Sequence, residues 1–201
     1  MQNLREKHLL KLMDGWIEQS PLQRILLAES LVSEGCDTHN VARRLGWQEF
    51  EEFTEICFEE NGFRSIKHLI IKLSRHARRE IDILAWNHPF TLAIDCKHWL
   101  KMGTTDSRLR KAADSQARRV ADLAQRPEIL HSFGLDDAET RSILPMLLTL
   151  GEARMRTWAG VPIVPVSKLS TFLSELSPFE VTFKPVPVEP SRQMRLDFPL
   201  P

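Results

Sequence analysis

Residues Arg79 to Trp99 read REIDILAWNHPFTLAIDCKHW. Two apolar runs, IDILAW and FTLAID, carry Asp82 and Asp95 inside them, and Lys97 closes the second. Burial strips water from an ionised group, and nothing repays that unless a partner is supplied. A strand that only had to build a core would place Val or Thr at these positions. Side chains two apart share a face of a strand. On that rule Glu80 and Asp82 face one way, with Ile81, Ile83 and Ala85 opposite. Asp95 and Lys97 likewise share a face, with Ile94 and Cys96 opposite. Pairing of the two strands across Asn87-His88-Pro89 then brings two or three carboxylates and one ammonium to one end of a sheet. Crowded carboxylates raise each other's pKa unless a cation sits between them, and a hard divalent ion, Mg²⁺ or Mn²⁺, suits an all-oxygen set. A structural Asp95–Lys97 pair and a solvated edge position for Asp82 are the plainer readings of the same residues.

Around this hairpin, FRSIKHLIIKL (63–73), ILPMLLTL (143–150) and VPIVPV (161–166) read as further strands. QEFEEFTEICFEENGF reads as a helix from Gln48, with Phe50, Phe53, Ile56 and Cys57 on one face and a stop at Asn61-Gly62. Residues 106–125 form a long basic helix with an Ala/Leu/Val stripe, and another helix begins at Ser167. Residues 3–19 show helical spacing, and Ser20-Pro21 opens a second helix to about Ser33. DTHNVARRLGWQEF starts a short helix at Asp37 or Thr38 and stops it at Gly46; it loosely resembles a helix-turn-helix and reads as helical packing. The tail, 181–201, holds five prolines and is expected to be extended or disordered. The expected class is α/β: a mixed central β-sheet flanked by helices over 48–180, preceded by an N-terminal helical region over 1–47.

A chain of 201 residues, 42% hydrophobic and 27% charged, suits one folded domain with an appendage. No apolar run approaches the roughly 18 residues of a membrane span, and no secretory h-region is present. Cys36, Cys57 and Cys96 are odd in number and lack CxxC pairing, as expected of free thiols in a reducing cytoplasm. The net charge is zero, but its distribution is uneven. Arg64 to Arg126 holds 14 Lys and Arg against 6 Asp and Glu, a net of +8, whereas Glu49 to Glu60 holds six Glu and no base. A basic middle is what a polyanion-binding face looks like, and a set of solvated helix faces gives the same count.

The residues also carry a resemblance. EID followed by DCK resembles the D…(D/E)xK core of the restriction-endonuclease-like PD-(D/E)xK nuclease superfamily, and within it the Mrr-type restriction enzymes and archaeal Holliday-junction resolvases. FEEFTEICFEENGF is similar to the first helix of Mrr-like domains, with Glu51 as the helix carboxylate, and GVPIVPVSKLSTFL to their closing strand and helix. Gln116 stands where related nucleases often carry a glutamine. The likeness covers about residues 48–176. It departs from the pattern twice: Ile81, not proline, precedes Asp82, and Asp95 replaces the commoner glutamate.

The resemblance implies a metal-dependent endonuclease that hydrolyses phosphodiester bonds in DNA, in repair, recombination or restriction. Asp82, Asp95 and the backbone carbonyl of Cys96 would hold Mg²⁺ or Mn²⁺, with Glu80 and Glu51 able to join directly or through water. Lys97 would orient or deprotonate the attacking water, or stabilise charge. Arg108, Arg110, Lys111, Gln116, Arg118 and Arg119 would meet the nucleic acid. For Glu51 a solvated face, for Glu80 an ion pair with Arg78 or Arg79, and for Gln116 an ordinary helix surface are the structural alternatives. The competing function is a non-cleaving nucleic-acid-binding protein or scaffold that retains the nuclease fold. A homodimer is expected, through Leu9, Leu12 and Trp16. The spacing of Gln193, Leu196 and Phe198 resembles sliding-clamp docking peptides, but the aromatic falls one position early and Pro199 takes the usual place, so a clamp partner is not expected.

Overall fold

A computed structural model describes residues 11–13, 16–19, 46–97, 106–135, 141–151, 153–177 and 180–189, with isolated positions between 23 and 44. The short helix expected from Asp37, Leu9 of the expected dimer face and the clamp-like residues 191–201 lie outside the described residues.

The molecule is built on a seven-stranded sheet. Its elements are α1 (Trp47–Glu60), β3 (Arg64–Lys72), β4 (Arg78–Asn87), β5 (Phe90–Lys97), α2 (Asp106–Ala124), α3 (Pro127–His131), β6 (Ser142–Thr149), β7 (Thr157–Trp158), β8 (Val161–Pro165), α4 (Leu169–Glu175) and β9 (Val186–Pro187). Strand order is β3-β4-β5-β6-β8-β7, with β9 added antiparallel to β6. β3, β4 and β5 form an antiparallel meander, while β5, β6 and β8 run parallel. The change from antiparallel to parallel follows from the connections. Asn87 pairs with Phe90 across a tight turn, whereas β5 reaches β6 only after α2 has crossed the sheet.

One face of the sheet packs Ile83, Ala85, Leu92, Ile94 and Cys96 against Phe50 and Phe58 of α1 and Leu169 and Leu173 of α4. The other packs Leu84, Ala93 and Ile143 against Val120, Leu123 and Ala124 of α2. β5 and β6 are therefore apolar on both faces, as expected of strands in the middle of three layers. Helix α1 ends as its sequence requires: Gly62 takes φ 78°, and the Phe63 N–H returns to Phe58 O at 2.9 Å. Its start is held by Glu49, whose carboxylate accepts the Gly46 N–H at 2.5 Å and pairs with Arg24 at 2.9 Å.

One expectation needs correction. Within the helix expected over 3–19, Lys11–Met13 (β1) and Trp16–Glu18 (β2) are strands that pair antiparallel, Met13 opposite Trp16. The intervening sequence is Asp14-Gly15, a pair that favours a two-residue hairpin and overrides the helical spacing of the flanking leucines. Within the stretch 181–201, β9 pairs with β6 and the Glu189 N–H donates to Ala124 O at 3.0 Å. Three short elements, α3, β7 and β9, carry too few residues to show a period.

Ala159 (φ 51°) and Gly160 (φ 88°) reverse the chain between β7 and β8. A Cβ on Gly160 would run into the Lys184 side chain. Gly160→Ala is therefore expected to lower stability by about 1–2 kcal/mol. A urea midpoint equal to that of the wild type would show that Lys184 simply moves aside.

Candidate functional site

The site begins with a fault in strand alternation. Ile81 and Leu84 are three residues apart, yet both enter the core beneath α2, while Ile83 and Ala85 enter the opposite core. On β3, Ile66 and Leu69 do the same. The phase changes between the pairs Lys67–Ile83 and Leu69–Ile81, where His68 faces Asp82 and takes φ 55°. The expectation that Ile81 would share a face with Ile83 and Ala85 therefore fails, although Glu80 and Asp82 both line the same cleft: alternation holds only while every residue stays in the extended region.

Asp82 stands at this point, just beyond the last β4–β5 pair, Ile83–Ile94. Its Oδ2 accepts the Cys96 N–H at 2.8 Å, in place of the backbone acceptor that a continued ladder would supply. The neighbouring Lys97 carbonyl accepts the Leu150 N–H on the β6 side, so the main-chain carbonyl of Cys96 is directed to the β4 side, alongside Asp82. Asp95, 2% exposed, lies between two cations. Its Oδ1 accepts from Arg119 Nη1 at 2.6 Å, and its Oδ2 is 2.7 Å from Lys97 Nζ. The second contact is an ion pair without hydrogen-bond geometry, so Oδ2 takes no true hydrogen bond. Burial, with the negative charge of Asp95 adding to it, raises the Asp82 pKa from 3.8 to about 6. Burial also pushes the Cys96 thiol up, and Asp82 and Asp95 add to the effect.

These groups line an open cleft of about 640 Å³, whose wall includes Arg78, Arg79, Arg118 and Arg119. Sequence reasoning did not single out Arg78 and Arg79, although their place before Asp82 on the same strand was the available signal. Gln116 is fully buried and does not face a nucleic acid as expected; its Nε2 donates to Ala93 O at 2.8 Å and its Oε1 accepts from Arg119 at 3.0 Å. A polar residue inside the apolar stripe Leu109, Ala112, Ala113, Val120 and Leu123 must find such partners. Glu80 borders the cleft but turns to His68, 3.0 Å away, and the other ring nitrogen of His68 lies 3.8 Å from Glu51. Glu51 is nearly buried and does not line the cleft. Arg108, Arg110 and Lys111 are exposed on the first half of α2, away from the cleft lining, with the Arg110 guanidinium 4.4 Å over the Trp158 ring.

Among the described residues, no three His, Cys, Asp or Glu side chains are grouped to hold a metal. What the site offers is two carboxylates, one with an oxygen lacking a hydrogen bond, and a main-chain carbonyl. That all-oxygen set fits Mg²⁺, which keeps several waters and takes one or two carboxylates together with substrate phosphate.

The sequence model of the Mrr_cat family, a restriction endonuclease family, matches residues 42–125. An uncharacterized protein of Archaeoglobus fulgidus is 30% identical over 131 residues, covering 65% of this chain and 91% of that protein. Among solved structures, the protein of unknown function AF1548 is 19% identical over 50% of this chain and 46% of its own, with a TM-score of 0.34. The protein VC1899 from Vibrio cholerae is 13% identical over 86% of this chain and 40% of its own, with a TM-score of 0.35. The chain thus spans less than half of either structure. With the mixed sheet and flanking helices in place, the family match shows that the chain belongs to the restriction-endonuclease-like superfamily.

Proposed function

We propose that the protein is a metal-dependent endonuclease that hydrolyses phosphodiester bonds in DNA, acting as a homodimer so that two sites meet two strands. The observation that carries this reading is the meeting of Asp82, Asp95 and Lys97 in a cleft walled by four arginines. Asp82 and Asp95 would hold Mg²⁺ or Mn²⁺ with the Cys96 carbonyl. The ion supplies Lewis acidity, lowering the pKa of a bound water and offsetting charge in the transition state. Lys97, held near Asp95 by their ion pair, would direct its N–H donors to the attacking water or to the developing charge. Glu80, which borders the cleft, would join the ion through water, with Glu51 behind it through His68. The arginines hold the phosphates on either side of the scissile bond.

A panel of linear, branched and single-stranded DNA with Mg²⁺ or Mn²⁺ tests the reading. Cleavage that needs the ion and is lost in Lys97→Ala is the expected result. The second reading, binding without cleavage, is favoured by one observation: the charge of Asp95 is already answered by Lys97 and Arg119. Salt-sensitive binding of every substrate with no product would select it.

The cleft arginines make a separate expectation. Replacing Arg78 and Arg118 together by alanine should flatten the log–log salt slope of DNA binding by about 2, because each phosphate contact releases roughly one counterion. The same change at Arg108 and Lys111 should do less, since neither lines the cleft. Equal slopes for the Arg78/Arg118 variant and the wild type would take the nucleic acid elsewhere.

A further inference from the structure

Arg119 stands where a metal ion would have to compete with it. Its Nη1 is held at 2.6 Å from Asp95 Oδ1 and 3.0 Å from Gln116 Oε1. Gln116 is itself fixed, because its amide donates to the main chain of β5 at Ala93. A fully buried amide thus braces a guanidinium against one oxygen of Asp95, while Lys97 stands 2.7 Å from the other. An ion bound to Asp95 would add two positive charges beside two already present, and like charges at such separations in a part-buried site repel strongly. Arg119 is not locked in, however. Its side chain is 21% exposed and it opens on the same cleft as Arg78, Arg79 and Arg118. A phosphate entering that cleft offers the guanidinium a bidentate anionic partner in exchange for a single carboxylate oxygen.

We infer that Arg119 is an exchangeable counter-cation: it occupies Asp95 in the free protein and passes to a nucleic-acid phosphate when substrate enters, releasing Asp95 to the metal. The inference rests on the nuclease reading. It makes Gln116 a positioning residue for Arg119. It also makes metal and nucleic acid help each other to bind by the same factor, as linkage requires. An empty cleft would then bind the ion weakly.

The test is a titration of Mn²⁺ into the full chain, following free Mn²⁺ by electron paramagnetic resonance, with and without a short DNA duplex. Arg119→Gln should bind Mn²⁺ about tenfold more tightly than the wild type in the absence of DNA, and the duplex should raise its affinity by a smaller factor than it raises the wild type's. Arg119→Lys, which keeps a cation, should stay near the wild type. If Arg119→Gln binds Mn²⁺ no more tightly than the wild type while Asp82→Asn weakens it, the exchange is wrong and the metal site stands. If no form binds Mn²⁺ even with duplex, both the exchange and the metal-dependent reading fail. Should Arg119→Gln not fold, the wild type still decides: equal Mn²⁺ affinity with and without duplex overturns the exchange.

Discussion

Asp95→Asn is expected to lower cleavage by about a hundredfold or more and to destabilise the chain by about 2–3 kcal/mol. The activity loss follows from removing a metal ligand that also fixes Lys97. The stability loss follows from burial: Asp95 is 2% exposed, and its removal leaves Lys97 and Arg119 facing each other across an uncharged amide. Breaking a fully buried pair costs about 3–5 kcal/mol, and the lower figure allows for both cations being roughly one-fifth exposed. Single-turnover cleavage and a urea melt of the same preparation measure the two effects. A variant as stable as the wild type would show that both cations swing into cleft water without penalty.

Asp82→Asn should do the opposite to stability while again reducing cleavage by about a hundredfold. Asp82 has no cation in direct contact among the described residues, only the Cys96 N–H, which an asparagine oxygen can still accept. Its carboxyl is raised from 3.8 to about 6, so the folded state holds the proton more tightly than the unfolded chain does. Below pH about 4 the group is neutral in both states, and its contribution is fully present. As pH rises from about 4 to about 6 the unfolded chain ionises first, and wild-type stability falls by about 2 kcal/mol after allowance for partial exposure. Asp82→Asn should lack that fall and be the more stable protein above pH about 6. Mg²⁺ should raise the wild-type melting temperature there and leave Asp82→Asn unmoved. Parallel stability–pH curves for the two proteins would show that neither burial nor the Asp95 charge holds the proton on Asp82.

The opposite signs could not be read from sequence. Asp82 and Asp95 look alike there, each a carboxylate in an apolar strand, and strand pairing alone suggests that both need a cation. What separates them is Arg119, 24 residues beyond Asp95, brought in by the crossing of α2. The sheet and its long helices were legible because the central strands are continuous apolar runs bounded by turn residues, and the long helices repeat their apolar residues every three to four positions. Glu51 and Glu80 were also legible as carboxylates near the site. Their linkage through His68 was not, because it depends on one residue taking a left-handed backbone. Gln116 was placed at the nucleic acid by family likeness, although its position in the apolar stripe of α2 already argued for burial.

The paired change of phase at His68 and Asp82 also bears on how accurately this sheet assembles. In an ordinary amphipathic hairpin a slip of one residue inverts the faces, but a slip of two restores them, so only the turns oppose it. Here a slip of two would carry the fault on β3 past the fault on β4. Ile66 and Leu69 would then no longer reverse faces opposite Leu84 and Ile81, and apolar side chains on one strand would meet solvent. Even-numbered misalignments are therefore penalised along with odd ones. The same irregularity that exposes Asp82 to the cleft thus acts as a registration mark, holding its carboxylate opposite the end of β5 each time the chain folds.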